Sequence, residues 1–471
     1  MHALFVMGYI ALMIVIGLHF SRRKVHNDSD FIVAGRSLST MVLTATLLAT
    51  FVGSGSIVGG ASFVFQYGPG AAIFFFAGTP IAALVVYFLL AAKMRRSEAT
   101  TIPGLIEVRF GSTARTLASL IILLAYVGIV SYQFTGAGQA LNLAFGLPVW
   151  QGVLISAAIM IGLATMGGLV SVAYTDYMSA VIIFGSMLLA VPLVLMPLGG
   201  LERLYTSLPQ MQQTLLGGLS PWQALSYFLP LFLLILGDQN LFQRFAAARD
   251  PATARKAAMG LVIASIACTS LITLLVCATR VLYPDITPST AMMTLAQQGL
   301  PTVVGGLLLA SIVALLLTTG NSYLLSASAS LTQDILGGLF RIRIAPHRAL
   351  LANRLTVVAL GVLAWVLGAF FPSVLAMQMY SYGMYGAAIT PVFLAALLWP
   401  RATPAGALAA MTVGGAVTLV WEIALGKPMG WNSVLVAMPL ATLTMVAVSL
   451  IKRPSHSAGA FTTGNGESSL D

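Results

Sequence analysis

An all-α, polytopic membrane protein with thirteen transmembrane helices is predicted by three features: composition, the lengths of the apolar runs, and the placement of the basic residues. Hydrophobic residues fill 58% of the 471 positions and charged residues only 8%, more apolar surface than a soluble domain of this size can bury. With ~20 apolar residues needed to cross the hydrocarbon core, spans are read at 3–20, 38–66, 70–93, 115–143, 150–166, 170–197, 221–243, 255–281, 302–328, 350–370, 373–399, 404–424 and 431–451. If the N-terminus lies outside, 20 of the 23 Lys and Arg residues fall on the inner side, as the positive-inside rule requires.

The connections bear this out in order. Arg22, Arg23, Lys24 and Arg36 separate the first and second spans; Lys93, Arg95, Arg96, Arg109 and Arg115 separate the third and fourth. Arg244, Arg249, Arg255 and Lys256 lie between the seventh and eighth, and Arg341, Arg343, Arg348 and Arg354 between the ninth and tenth. Arg401 follows the eleventh, Lys452 and Arg453 the thirteenth, and only Arg203, Arg280 and Lys427 are left outside. A missed or invented span would exchange every loop beyond it and ruin the split. The first span is read as an uncleaved helix, because its charges follow the apolar run instead of preceding it. Residues 1–453 form one transmembrane domain in this reading, and 454–471, "PSHSAGAFTTGNGESSLD", a disordered cytoplasmic tail.

The pI near 9.8 is therefore topology, and no nucleic-acid partner is expected. Cys268 and Cys277 lie two and a half turns apart on one helix, too far to bridge. His2, His19, His26, His347 and His456 show no metal-binding spacing. No nucleophile and base pair, metal cluster or phosphate loop is in view, so neither an enzyme nor a cofactor is expected.

"ATFVGSGSIVGGAS", 49–62, is poor material for a straight helix in lipid. Non-helical backbone at membrane depth is tolerated only where protein or water surrounds it. Glycine relaxes the backbone and serine hydroxyls compete for peptide groups, so this is a place where a helix can come apart and free its carbonyls. Gly55 and Gly59 also form a GxxxG, which close helix packing would explain equally. Downstream, "ALLLTTGNSYLLSASASLTQDI", 314–335, gathers Thr318, Thr319, Asn321, Ser322, Ser326, Ser328 and Ser330 in a span that begins almost purely aliphatic. Such hydroxyls commonly bond back to their own helix; the alternative is a set of oxygen ligands, which suits a hard cation.

These stretches, with "DFIVAGRSLS" (30–39), "TIPGLIEVRFG" (101–111), "GGLVSVAYTDYMSA" (167–180) and "GDQNLFQRFAAARDPATARKA" (237–257), make the chain resemble the sodium:solute symporter family. The resemblance runs in order from about residue 1 to 450. It implies a leucine-transporter-type core of two inverted five-helix repeats, about 38–197 and 221–399, with one extra helix before and two after. Five is odd, so the repeats enter from opposite sides, the inversion alternating access uses. Carried across residue by residue, it implies a sodium site of the Ala49, Val52 and Leu315 carbonyls with the Thr318 and Thr319 hydroxyls. A second sodium site of some members would use Asp176 with Thr318, Asn321 and Ser322, although Asn321 stands where those members commonly have serine; otherwise Asp176 is a solvated residue at the cytoplasmic vestibule.

The solute is expected at the midplane near Ser54, Gly55, Ser56 and Gln133, with aromatic lining from 74–76 or 378–386. Asp238 is read as cytoplasm-facing and Glu422 as lying at the outer end of the twelfth span. With no arginine visible at midplane depth, strongly anionic cargo is disfavoured. The resemblance thus implies a multi-pass protein of the cell (plasma) membrane, importing a small organic solute (amino acid, sugar or carboxylate) with sodium as the coupling ion. The alternatives are proton coupling on the same fold, with Asp176 as carrier, and a transporter-like sensor acting with a separate signalling partner.

Overall fold

The computed structural model describes residues 1–24, 32–342, 345–368 and 373–451; the tail expected at 454–471 lies outside them. The described chain is helical throughout, with only an isolated bridge between Leu38 and Ala248. The main helices are α1 (His2–Lys24), α2 (Thr40–Phe51), α3 (Gly55–Arg96), α4 (Ser112–Phe145), α5 (Val149–Leu198), α6 (Pro221–Gly237) and α7 (Gln239–Ala246). They continue with α8 (Pro251–Leu282), α9 (Thr302–Leu339), α10 (Pro346–Gly368), α11 (Val374–Leu398), α12 (Pro404–Ala424) and α13 (Val434–Ile451).

Eleven helices among the described residues are long and apolar enough to cross a membrane, against the thirteen spans read from the sequence. The difference has a local cause. Gly68 (φ 82°) and Gly168 (φ 55°) sit in the left-handed region and bend the chain inside α3 and α5, a conformation that glycine alone adopts freely. The outer half of the span read at 38–66 runs into the next one in α3, while its inner half, the 12-residue α2, and the segment Val149–Thr165 ahead of the Gly168 bend are each too short to be counted among the eleven. The span at 221–243 is itself broken, since Asp238 at ψ 122° ends α6 and caps α7, taking the Asn240 N–H at 2.8 Å.

Burial separates a centre from a rim. The most apolar window of α9 is 83% buried, those of α4 and α6–α7 72% and that of α11 78%, whereas those of α1 and α13 are 22% and 28% buried. The most enclosed of them, α9, is also rich in hydroxyls, and close backbone approach and interhelical hydrogen bonds supply there the cohesion that lipid withholds. α9 packs on α5, α4 and α1, while α3 packs on α6 and α8.

Candidate functional site

α2 stops at Phe51 because glycines and serines follow, and the chain resumes as a π-helical turn over Gly55–Gly60, a geometry that concentrates at functional sites. The Val52 N–H closes the last turn of α2 on the Leu48 carbonyl at 2.8 Å. The next carbonyl, that of Ala49, receives the Thr319 hydroxyl of α9 at 2.9 Å, and the same hydroxyl lies 2.8 Å from the Leu315 carbonyl. Thr318 also points to Leu315, at 3.2 Å. One hydroxyl has one proton, so this junction holds more oxygen acceptors than donors. Gly53 makes the approach possible: a Cβ there would stand 2.7 Å from the Thr319 methyl and 2.9 Å from the Gln133 amide nitrogen.

The residues expected at the solute site meet at the same break. The Ser54 N–H donates to Gln133 Oε1 at 2.8 Å, while the buried Ser54 hydroxyl has no partner among the described residues. The Ser56 hydroxyl spans the break to the Phe51 carbonyl at 2.9 Å. A Cβ on Gly55 would lie 2.7 Å from the Tyr382 hydroxyl and 2.9 Å from the Gln378 amide of α11. Tyr382 in turn meets Tyr132 of α4, hydroxyl to hydroxyl, at 3.0 Å. Both aromatic stretches reach the π-helical turn: 378–386 through Tyr382 at Gly55, and 74–76 through Phe76, whose ring would stand 2.7 Å from a Cβ on Gly60. Phe75 also stacks on Phe63 at 4.9 Å, both of them buried, within a cluster that includes Tyr227.

The family profile of the sodium:solute symporters matches residues 31–414. The chain belongs to this family. The symporter is 26% identical to the osmoregulated proline transporter OpuE of Bacillus subtilis, covering 96% of this chain and 95% of the relative, and 26% identical to the high-affinity proline transporter PutP of the same organism, covering 87% and 89%. Its fold superposes on that of a sodium-coupled sialic acid symporter, solved substrate-bound and outward-open, with a TM-score of 0.84 over 96% of this chain and 98% of the other at 16% identity. The protein is a sodium-coupled solute symporter embedded in the membrane; the family is one of transporters, not enzymes.

Beneath the break lies a feature the sequence reading misplaced. Arg244, counted there with the loop charges, is fully buried on α7. Its guanidinium donates to Asp176 Oδ2 on α5 at 3.2 Å, to the Ser322 hydroxyl on α9 at 2.9 Å, to the Thr46 hydroxyl on α2 at 3.0 Å, and to the Asn240 side chain. Thr46 donates to the same Asp176 oxygen at 2.5 Å. Asp176 is therefore not solvated at a vestibule: it is 1% exposed and ion-paired. Arg244 thus lies within the candidate span Pro221–Ala246 with its charge matched locally by Asp176. The remaining oxygens, Asp176 Oδ1 and Asn321 Oδ1, are buried without partners among the described residues.

Asp238 faces no water either. It is buried, bonded by the Tyr126 hydroxyl on one oxygen and by Tyr323 at 2.9 Å on the other, so the carboxylate fixes α4 and α9 to the α6–α7 break. The sequence offered one clue to this cluster: tyrosines at 126, 132 and 323 in otherwise aliphatic helices, whose hydroxyls need partners once buried. Glu422 takes the Ser433 N–H at 3.0 Å and pairs with Lys427 at 2.9 Å, closing the α12–α13 connection as a structural pair. Cys268 and Cys277 are both free and buried.

Proposed function

We propose that the symporter imports a small zwitterionic solute of the proline class with one sodium ion per turnover, across the cell membrane, with its N-terminus outside and C-terminus inside. Thirteen passages follow from counting the segments on either side of Gly68 and Gly168 separately, with repeats at about 38–197 and 221–399. One observation favours the inverted-repeat reading: the breaks at 52–54 and at Asp238 fall in the first helix of each repeat. The proline class rests on the two relatives, and a buried site with locally neutralised charge suits a zwitterion.

The observation that carries the ion site is the Thr319 hydroxyl lying between the carbonyls of Ala49 and Leu315. A sodium ion held by those carbonyls, the Val52 carbonyl and the Thr318 and Thr319 hydroxyls would relieve the surplus of acceptors and join α2 to α9. Ion and solute then bias one conformational equilibrium, which is coupling. An ion falling through ~100 mV gains ~2.3 kcal/mol and a tenfold gradient adds ~1.4 kcal/mol. Together these support roughly 500-fold accumulation of a neutral solute.

A single ion is favoured over two because Arg244 already supplies positive charge to Asp176 and Ser322, two of the three residues distinctive to a second site. The same pairing leaves Asp176 poorly placed as a proton carrier. The solute site is proposed at Ser54, Gly55, Ser56 and Gln133, with Tyr382 as neighbour.

The test is proline uptake into proteoliposomes driven by a sodium gradient at equal pH, against uptake driven by a proton gradient without sodium. Only the first should accumulate solute, and proton-driven accumulation would overturn the reading. Thr318→Ala is expected to weaken sodium activation several-fold, the modest size reflecting a hydroxyl that also bonds back to its own helix; unchanged sodium dependence removes Thr318 from the site. Ser56→Trp should abolish proline uptake while the protein still inserts, since the indole would fill the break; normal uptake would place the solute elsewhere.

A further inference from the structure

The inner end of α3 and the first turn of α8 enclose a cavity of about 340 Å³ far from the break, lined on the α3 side by Phe88, Leu89, Lys93 and Arg96 and on the α8 side by Arg255. A π-helical turn over Val86–Leu90 turns Phe88 and Leu89 outward, 64% and 51% exposed. Ala92, Lys93 and Arg96 continue the same face one and two turns on, so the wall runs from exposed apolar to cationic along one helix. Its geometry is fixed from behind. Arg95 donates to the Ala248 carbonyl and, at 3.1 Å, to that of Arg249, clamping the end of α3 to the connection before α8.

The cations are not spent on carboxylates. Arg96 and Arg255 have no ion pair among the described residues, and Lys93 meets only the Leu397 carbonyl, at 3.2 Å. The nearby acid, Asp250, caps α8: it takes the Thr253 N–H at 2.7 Å and the Thr253 hydroxyl at 2.9 Å. Those two hydrogen bonds hold its carboxyl down at about 2, so it stays ionised and committed to the cap. A pocket with three cations above and exposed aromatic and aliphatic side chains below, at the membrane boundary, matches an anion that carries its own hydrocarbon. A soluble anion would leave the apolar half uncovered.

We propose that this cavity is a binding site for an anionic phospholipid, its phosphodiester held by Lys93, Arg96 and Arg255 and its acyl chains lying over Phe88 and Leu89. Basic pockets on the cytoplasmic side of membrane helices take such headgroups, and this one rests on the topology above, in which this end faces inward. Bound lipid would bridge α3 to α8, adjoining the Arg95 clamp.

The experiment is native mass spectrometry of the full-length protein in mild detergent, titrated with phosphatidylglycerol or phosphatidylcholine of the same chain length, with and without millimolar inorganic phosphate. Wild type should retain phosphatidylglycerol preferentially, phosphate should not displace it, and Lys93→Gln/Arg96→Gln/Arg255→Gln should weaken retention on the order of 100-fold, given about a factor of five per basic residue. Arg401→Gln, an inner-side charge outside the cavity, should retain lipid as wild type does. Should the triple variant fail to fold, Arg255→Glu alone, an exposed change on the first turn of α8, should lower retention of phosphatidylglycerol at least 10-fold. Equal retention of the two lipids, undiminished binding by these variants, or displacement by phosphate would overturn the proposal. Because retention is read without transport, failure of sodium-driven uptake would leave this result standing.

Discussion

Arg244→Ala is expected to lower stability by about 3–5 kcal/mol, the usual cost of leaving one member of a buried ion pair uncompensated, and to abolish coupled uptake. The guanidinium is fully buried and bonds α2 through Thr46, α5 through Asp176 and α9 through Ser322. Removing it leaves the Asp176 carboxylate in the protein interior with Thr46 as its remaining bonded partner. The double variant Arg244→Ala/Asp176→Asn should therefore recover much of the lost stability, because the stranded charge is gone, yet not the uptake, because the tie between α7 and the other three helices is still missing. Arg244→Lys should fall between, as an ammonium cannot reproduce the planar fork. Thermal unfolding of the three purified variants in detergent, alongside uptake assays, checks the series. A single variant as stable and active as its parent, or a double variant no more stable than the single one, would show that the pair does not bind these helices together.

The same pair shows what was legible in the sequence and what was not. Most of the apolar helices were readable because bilayer thickness acts on each segment separately. The break at 52–54 was readable for a similar reason, since glycine and hydroxyl content in one short run signals it. Arg244 was not readable as a membrane residue: it lies near the end of an apolar run, beside the true loop cation Arg249, and its burial makes sense only through Asp176, 68 positions earlier. Asp238 failed in the same way, since its partners Tyr126 and Tyr323 lie 112 and 85 positions away. The bends inside α3 and α5 depend on the left-handed backbone of Gly68 and Gly168, two among 45 glycines. Ala49 and Thr319, 270 positions apart, came together in the sequence reading only through the family resemblance.

Thr319→Val tests that last pairing most directly. Valine keeps the β-branched shape against Gly53 and removes only the oxygen that reaches both carbonyls, so packing and insertion should survive. The Ala49 carbonyl then loses its 2.9 Å partner from α9, and a sodium ion at the junction would lose one of its two hydroxyl ligands. Interactions between a polar group and a charge contribute about 1.5–3 kcal/mol, so the sodium concentration for half-maximal uptake should rise about 10- to 100-fold, while proline affinity at saturating sodium changes little. Thr319→Ser, which restores the hydroxyl, should return most of the sodium sensitivity. The effect should exceed that of Thr318→Ala, because Thr319 alone of the two bonds across to the broken helix. Sodium dependence unchanged in Thr319→Val proteoliposomes at clamped membrane potential would place the coupling ion elsewhere, and the contact between α2 and α9 would then be only a packing contact.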